Sequence, residues 1–236
     1  MMFDISKSVG CTERMNYLKR GFLFYMCSSC MLLVQFAIYL VNSNYWESLN
    51  FVGGFYYLMA ALGQAFLFNL IPWVILYIPF TWWRQMQKVG TILFSCAIFL
   101  LNVLAYLNGI VFQLYKFHIN GFVLDLAFGG GGNQVFVFNN TLILHGVLIG
   151  LLILLFTLAV VFIAYRYAWY VTSKQVKIGI YLFLFSCIAP QLTHAYAAAA
   201  NVNSIMEVSA CLPQYYPLTA NRLMLKLGVV KKEDLY

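Results

Sequence analysis

Five long stretches of this chain contain no Asp, Glu, Lys or Arg: residues 21–46, 48–83, 89–115, 126–165 and 178–206. Each is longer than the roughly 20 apolar residues that an α-helix needs to cross a hydrocarbon core of about 30 Å. Of the 236 residues, 63% are hydrophobic and only 9% are charged, against about 45–50% and about 25% in soluble domains. The sequence therefore excludes a soluble globular fold and predicts five membrane crossings.

The crossings are predicted to be helices. A membrane β-strand is about ten residues of alternating polarity, whereas the apolar run at 145–165 does not alternate. We predict an all-α integral membrane protein with a five-helix transmembrane domain at 1–198. A short interfacial helix follows within a segment at 199–236, which also begins a linker. The predicted spans are 21–41, 53–80, 90–112, 142–165 and 177–198.

The second span contains two prolines, Pro72 and Pro79. Proline removes a backbone donor and clashes with the preceding turn, so we expect a kink near Pro72 and a helix end near Pro79. Broken helices occur in transporters, and a small-solute transporter or channel is therefore an alternative function. The polar residues of spans two and three are instead predicted to form interhelical hydrogen bonds: Gln64, Asn69, Asn102 and Asn108.

Basic residues cluster at one end of the predicted spans. The nine Lys and Arg residues beside that end are Lys7, Arg14, Lys19, Arg20, Arg84, Lys88, Arg166, Lys174 and Lys177. The other end has only Lys116 close to a span, because the four basic residues after the fifth span lie too far beyond it to count strongly. By the positive-inside rule the N-terminus is cytoplasmic and the C-terminus lies on the outer side. Most of the formal charge of +7 then faces anionic headgroups, and we predict no nucleic-acid partner.

Catalytic and metal-binding patterns are absent from the sequence. The chain has only seven acidic residues, and Asp125 is the sole carboxylate between the third and fourth spans, so paired-carboxylate chemistry has nowhere to assemble. The three histidines, His118, His145 and His194, do not have the close spacing of a helical metal-ligand pair. We therefore predict no enzyme activity, no metal and no cofactor.

The segment after the fifth span carries the candidate site. Pro217 and Thr219 precede a predicted helix at about 220–227, and Gly228 suits its end. A helix N-terminus with nearby cations favours anions, and at a membrane surface the natural anion is a lipid phosphate. A solvated linker helix is the alternative. The predicted lipid-binding residues are Tyr215, Tyr216, Pro217, Leu218, Thr219, Ala220, Asn221, Arg222 and Lys226.

Two patches of the chain, together with the order of the five spans, resemble the N-terminal membrane domain of the YejM/PbgA family, inner-membrane proteins of Gram-negative bacteria. The first patch is residues 106–126, with Phe and His in similar order. The second and more specific patch is residues 212–230, which reads LPQYYPLTANRLMLKLGVV. This resemblance implies a multi-pass protein of the bacterial inner (cytoplasmic) membrane with a periplasmic C-terminus.

The resemblance also implies a function, the binding of lipid A, the membrane anchor of lipopolysaccharide, with cardiolipin as a second candidate lipid. A LapB-like membrane protein that controls lipopolysaccharide synthesis is the implied partner. Asn221 departs from the family, which has a basic residue there. The matching residues are Tyr216, Pro217, Leu218, Thr219, Ala220 and Arg222.

The family also has an outer, sulfatase-like hydrolase domain, which is absent from these 236 residues. We therefore expect this chain to have no hydrolase activity of its own. A simple membrane anchor for such a domain is the remaining alternative function.

We predict that a reporter fused after Tyr236 lies on the outer side of the membrane. Alkaline phosphatase fused there should be active and green fluorescent protein dark, because nine basic residues hold the opposite span ends inside. An inactive phosphatase with a fluorescent counterpart would reverse the predicted topology.

Overall fold

A computed structural model describes residues 2–129 and 140–228 of the chain. Its regular elements are all helical, and five stretches are long and apolar enough to cross a membrane: Thr12–Val41, Phe51–Thr81, Arg84–Tyr115, Ile143–Tyr170 and Ser173–Ala199. The predicted all-α fold with five spans is confirmed. Residues 229–236, at the end of the predicted outer segment, lie outside the described residues.

The α-helices are numbered in chain order. Following the predicted orientation, the end of the bundle where α2 begins is called the outer end, and the opposite end is called the inner end. The helices are α1 Met2–Val41, α2 Phe51–Pro72, α3 Gln87–Tyr115, α4 Gly121–Phe128, α5 Asn140–Tyr167, α6 Ser173–Ala199, α7 Asn203–Ser209 and α8 Asn221–Lys226.

Side-chain caps fix where two of the spans begin. At the outer end, the Asn50 side chain accepts the Gly53 N–H at 2.7 Å and starts α2. At the inner end, Thr172 and Gln175 form a reciprocal capping box that starts α6. These bonds satisfy backbone donors that a helix start leaves without partners.

The α-helix of the second span ends at Pro72, where the sequence predicts a kink, and the chain continues in other helix types. A π-helical turn at Trp73–Tyr77 is followed by a 3₁₀ turn at Ile78–Thr81, which has Pro79 in its first turn. Each proline lacks the N–H that would continue an α-helix. The inner third of this span is therefore irregular and depends on its neighbours for support.

Helix α1 supplies that support because it lies at the centre of the bundle, against α2, α3 and α5. Near the inner end the rings of Tyr17 and Tyr77 stack, with centroids 4.2 Å apart and planes within 3°. Each hydroxyl donates to the other residue's carbonyl oxygen, at 3.2 Å from Tyr17 and 2.9 Å from Tyr77. This reciprocal pair ties the π-helical turn to α1.

Polar side chains inside the bundle pair across helices, as predicted for spans two and three. Asn69 donates to the Ser29 hydroxyl at 3.1 Å, and the Gln35 side-chain amide donates to the side-chain oxygen of Asn102 at 2.7 Å. Such bonds are favoured in hydrocarbon because water is absent there.

Helix α6 joins the bundle mainly through α2. The two helices cross closely at Gly63, where any Cβ would overlap the carbonyl oxygen of Ser186. Glycine is therefore required at this crossing, since the obstructing atom belongs to the backbone of α6.

We predict that Gly63→Ala destabilises the protein, by about 1–3 kcal/mol as in other overpacked sites. The matched control is Gly150→Ala, since a Cβ built there meets no described atom within 4 Å apart from the adjoining backbone of its own helix, and alanine favours the helix. Thermal unfolding in detergent should show a lower midpoint for the first variant only. Equal midpoints would contradict the close crossing.

Candidate functional site

The chain that follows α6 folds back onto the outer end of the bundle. Helix α7 packs against α2 and α6, and Gly53 of α2 faces the carbonyl oxygen of Ser204 so closely that a side chain would not fit. The buried side chains of this stretch join the core formed by α1 and α2: Ile205, Val208, Cys211 and Leu212. This part of the outer segment therefore belongs to the packed fold and is not a solvated linker.

Beyond it, residues 213–220 cross α2 and α6 without regular secondary structure. Gln64 of α2 donates from its amide nitrogen to the carbonyl oxygens of Pro213, at 3.2 Å, and Gln214, at 3.4 Å. Gln214 has φ 52°, in the left-handed region, which costs a non-glycine residue roughly 1–2 kcal/mol. The bonds from Gln64 help to offset that cost.

Helix α6 holds the same segment at Leu218, four residues after Gln214. The Leu218 N–H donates to the Gln191 side-chain oxygen at 2.7 Å, and its carbonyl oxygen lies 3.2 Å from Nδ1 of His194. A carbonyl can only accept, so Nδ1 of His194 carries the proton. Both backbone groups of Leu218 are thus paired with α6, as a site next to lipid requires.

Tyr215, one of the predicted lipid-binding residues, forms a third attachment to the bundle. It is half-buried, and its hydroxyl lies 3.4 Å from that of Tyr56 on α2. Burial raises the pKa of Tyr215 above its ordinary value, so the phenol is neutral at physiological pH. Tyr215 is therefore placed to hold the segment to the bundle.

The remaining predicted residues alternate between the bundle and the surroundings. Tyr216 is 87% exposed and Leu218 is 57% exposed, whereas Pro217 and Ala220 are half-buried. The other exposed members of the set are Thr219, Asn221, Arg222 and Lys226. An apolar pair and two cations are thus presented together along one short stretch of chain.

Helix α8 differs slightly from its prediction at 220–227. It spans Asn221–Lys226, and its first backbone bond runs from the Met224 N–H to the Ala220 carbonyl at 2.9 Å. Gly228 has φ 68°, as suits a glycine after a helix end. Six residues are too few to give a strong anion site at the helix N-terminus, so anion recognition would rest on the side chains of Arg222 and Lys226.

An apolar cavity of 300 Å³ lies beside the attached segment, between α1, α2 and α3. Pro213 and Gln214 form part of its wall, with Asn108 among the few polar groups. Its apolar lining includes Leu32, Phe36, Phe68, Leu101 and Leu104. This cavity could not be predicted from the sequence, because its walls come from distant parts of the chain.

His118 joins the end of α3 to the outer segment. Its Nδ1 lies 3.0 Å from the amide nitrogen of Asn108, its Nε2 lies 3.2 Å from the Ala210 carbonyl oxygen, and its ring stacks on Phe112 at 4.5 Å. An amide nitrogen only donates, so Nδ1 accepts and the ring is neutral. Burial lowers the pKa of His118 below its ordinary value.

Comparison with known families gives one match. A family model described as "Domain of unknown function (DUF3413)" matches residues 12–236, nearly the whole chain. No curated protein matches the sequence.

We predict that acid weakens the connection through His118. The folded state favours the neutral ring, so its pKa lies below that of the unfolded chain, which is about 6.5. The contribution of His118 to the free energy of unfolding should be complete above about pH 6.5. It should decline as the pH falls below that value, because the unfolded chain binds the proton at a higher pH than the folded protein does. The thermal midpoint of the wild type should fall more between about pH 8 and about pH 5 than that of His118→Gln. Parallel curves would contradict this role.

Proposed function

We propose that this chain, which belongs to the DUF3413 family, is a membrane module that binds an anionic lipid with its outer segment and reports it to a membrane partner. The proposed lipid is lipid A, in the periplasmic leaflet of a bacterial inner membrane. The proposed partner is a LapB-like protein that controls lipopolysaccharide synthesis.

One observation carries the proposal: the bundle holds the backbone of residues 213–218 while leaving selected side chains exposed. Gln64, Gln191 and His194 contact carbonyl and amide groups of the segment. Tyr216 and Leu218 remain free to contact a ligand. A surface fixed before binding loses less conformational entropy when the ligand arrives.

Charge supports an anionic ligand. Arg222 and Lys226 are exposed on α8 one turn apart, and residues 208–228 contain no Asp or Glu to neutralise them. A basic residue near an anionic membrane surface contributes about 1 kcal/mol. The phosphates of lipid A would meet both charges, whereas a neutral lipid would meet neither.

Apolar contacts support a lipid rather than a soluble phosphate compound. Tyr216 and Leu218 suit the boundary between headgroups and acyl chains, where aromatic side chains are enriched. The 300 Å³ cavity bordered by Pro213 and Gln214 is large enough to admit part of an acyl chain.

The sequence resemblance supports lipid A in particular. DUF3413 is in general associated with YejM-like membrane proteins, and residues 212–230 follow the motif of the YejM/PbgA family apart from Asn221. Cardiolipin carries phosphates as well and is the second candidate lipid. The neutral side chain at Asn221 is the feature expected to lower affinity relative to that family.

Helix α2 offers a route by which the bound lipid could be reported. Gln64 contacts the outer segment, and the same span continues through Pro72 into the π-helical turn that Tyr17 holds at the inner end. If lipid binding shifts the outer segment, the shift would be transmitted through α2 from the outer end of the span to the π-helical turn at its inner end. This route predicts that partner binding responds to lipid A.

A transporter or channel is the competing function, favoured by the broken second span. The spans lack ionisable residues at their centres, where transported ions or polar solutes commonly need them. Saturable solute uptake by proteoliposomes, abolished by Pro72→Ala, would support this class instead. Absence of uptake together with lipid A binding would support the lipid-binding function. Absence of both would support the function of a simple membrane anchor.

We predict that Arg222→Ala weakens lipid A binding roughly tenfold, because a charge-assisted phosphate contact is lost. Asn221→Arg should tighten binding by adding a second contact. Lys177→Ala, an exposed cation at the inner end, is the matched control and should leave affinity unchanged. The measurement is a lipid A titration of the purified chain by native mass spectrometry.

A neutral lipid of similar chain length should bind more weakly and respond to none of these substitutions. Equal affinity for the two lipids, or indifference to Arg222→Ala and Asn221→Arg, would show that the outer segment does not recognise phosphate.

A further inference from the structure

A second groove lies between α3 and α5, at the inner end of the bundle and away from the outer segment. It has a volume of 590 Å³ and is open at the surface of the bundle. One wall is α3 from Lys88 to Phe99, and the other is α5 from Leu154 to Tyr165. The proposed function makes no use of this groove.

The groove is apolar along its length although it contains hydroxyl side chains. Thr91, Ser95 and Thr157 each donate to a carbonyl oxygen one turn earlier in their own helix, at 3.0, 2.7 and 2.8 Å. With their donors satisfied in this way, the hydroxyls offer little polarity to a ligand. The surface that remains suits a hydrocarbon chain.

The length of the groove matches one leaflet. Lys88 and Phe99 are eleven residues apart on α3, which corresponds to about 16 Å at 1.5 Å per residue. That is about half of a hydrocarbon core of about 30 Å. Helix α5 runs antiparallel, so Tyr165 lies at the Lys88 end and Leu154 at the Phe99 end.

Positive charge is concentrated at the inner mouth. Lys88 lines the groove and is exposed. The Arg20 guanidinium lies 4.6 Å from the ring centre of Tyr165, and its Nε is buried with no acceptor in the described part of the chain. Among the side chains that the structure describes, which begin at residue 12 in α1, the one ion pair joins Arg84 to Glu13 at 2.6 Å. Neither Lys88 nor Arg20 has a carboxylate partner among those side chains.

We propose that this groove binds an anionic glycerophospholipid of the inner leaflet, with an acyl chain between α3 and α5 and its phosphate at Lys88. Charge complementarity and one-leaflet length select this occupant. Arg20 adds a second positive charge near the mouth. The site is independent of lipid A recognition by the outer segment.

A companion groove between α1 and α6 provides an internal control. It also has a volume of 590 Å³ and lies at the same end, yet no Lys or Arg is among the described residues that line it. Leu182 is one of its lining residues. If any apolar groove sufficed, the two grooves would hold anionic lipid equally well.

The test uses the delipidated full chain in detergent, titrated with phosphatidylglycerol or phosphatidylcholine and measured by native mass spectrometry. Lys88→Ala should weaken phosphatidylglycerol binding about fivefold and leave phosphatidylcholine binding unchanged. Lys174→Ala, an exposed cation outside the groove, should have no effect. An equal loss in both variants would mean diffuse attraction to the basic end and would overturn the proposal.

Filling the groove gives a second, charge-independent test. Cys96→Trp should abolish the tight phosphatidylglycerol site, whereas Leu182→Trp in the companion groove should retain it. Ile92→Trp, on the same wall as Cys96, replaces Cys96→Trp if that variant does not fold.

Equal binding by the two tryptophan variants would mean non-specific annular lipid. Displacement of phosphatidylglycerol by inorganic phosphate would mean that the site recognises the anion without the acyl chain. Either result would contradict the proposal. Retention of the site in Arg222→Ala would show that it is separate from the outer segment.

Discussion

The architecture depends on one constraint, namely that backbone N–H and C=O groups near hydrocarbon must find partners within the protein. Regular helices meet it along most of the spans. The exceptions are the irregular turns after Pro72 and residues 213–218, which have no regular secondary structure. Tyr17 of α1 forms hydrogen bonds with the turn after Pro72. Residues 213–218 are held by hydrogen bonds with Gln64, Gln191 and His194. Irregular backbone therefore occurs where a neighbouring helix supplies hydrogen-bond partners.

This support explains why the outer segment is suited to recognition. A free loop would fold back on itself or be solvated, and its side chains would sample many positions. Here the backbone bonds are directed towards α2 and α6, which leaves Tyr216, Leu218 and Arg222 for contact with a ligand. The inner end has a different kind of site. There two regular helices form a groove, and Lys88 and Arg20 place positive charge at its mouth.

Local chemistry could be predicted from the sequence, and long-range pairing could not. Charge-free stretches gave the five spans, Pro72 gave the break, and Gly228 gave the end of α8. The hydrogen bond that the Leu218 N–H donates to Gln191 joins residues 27 positions apart, and Gln64 donates to a carbonyl oxygen 149 positions away. Neither residue type specifies its partner, so the attachment of the segment and the burial of Tyr215 emerge only from the fold.

Hydrogen–deuterium exchange at the amide of Leu218 measures whether the bundle holds the outer segment in place before a lipid binds. In nanodiscs, this amide of the full chain should exchange slowly without ligand, and more slowly in the wild type than in Gln191→Leu. Lipid A should slow the exchange further, and a neutral lipid should not. Rapid exchange in the wild type that neither Gln191→Leu nor lipid A alters would show that the bundle does not hold the segment.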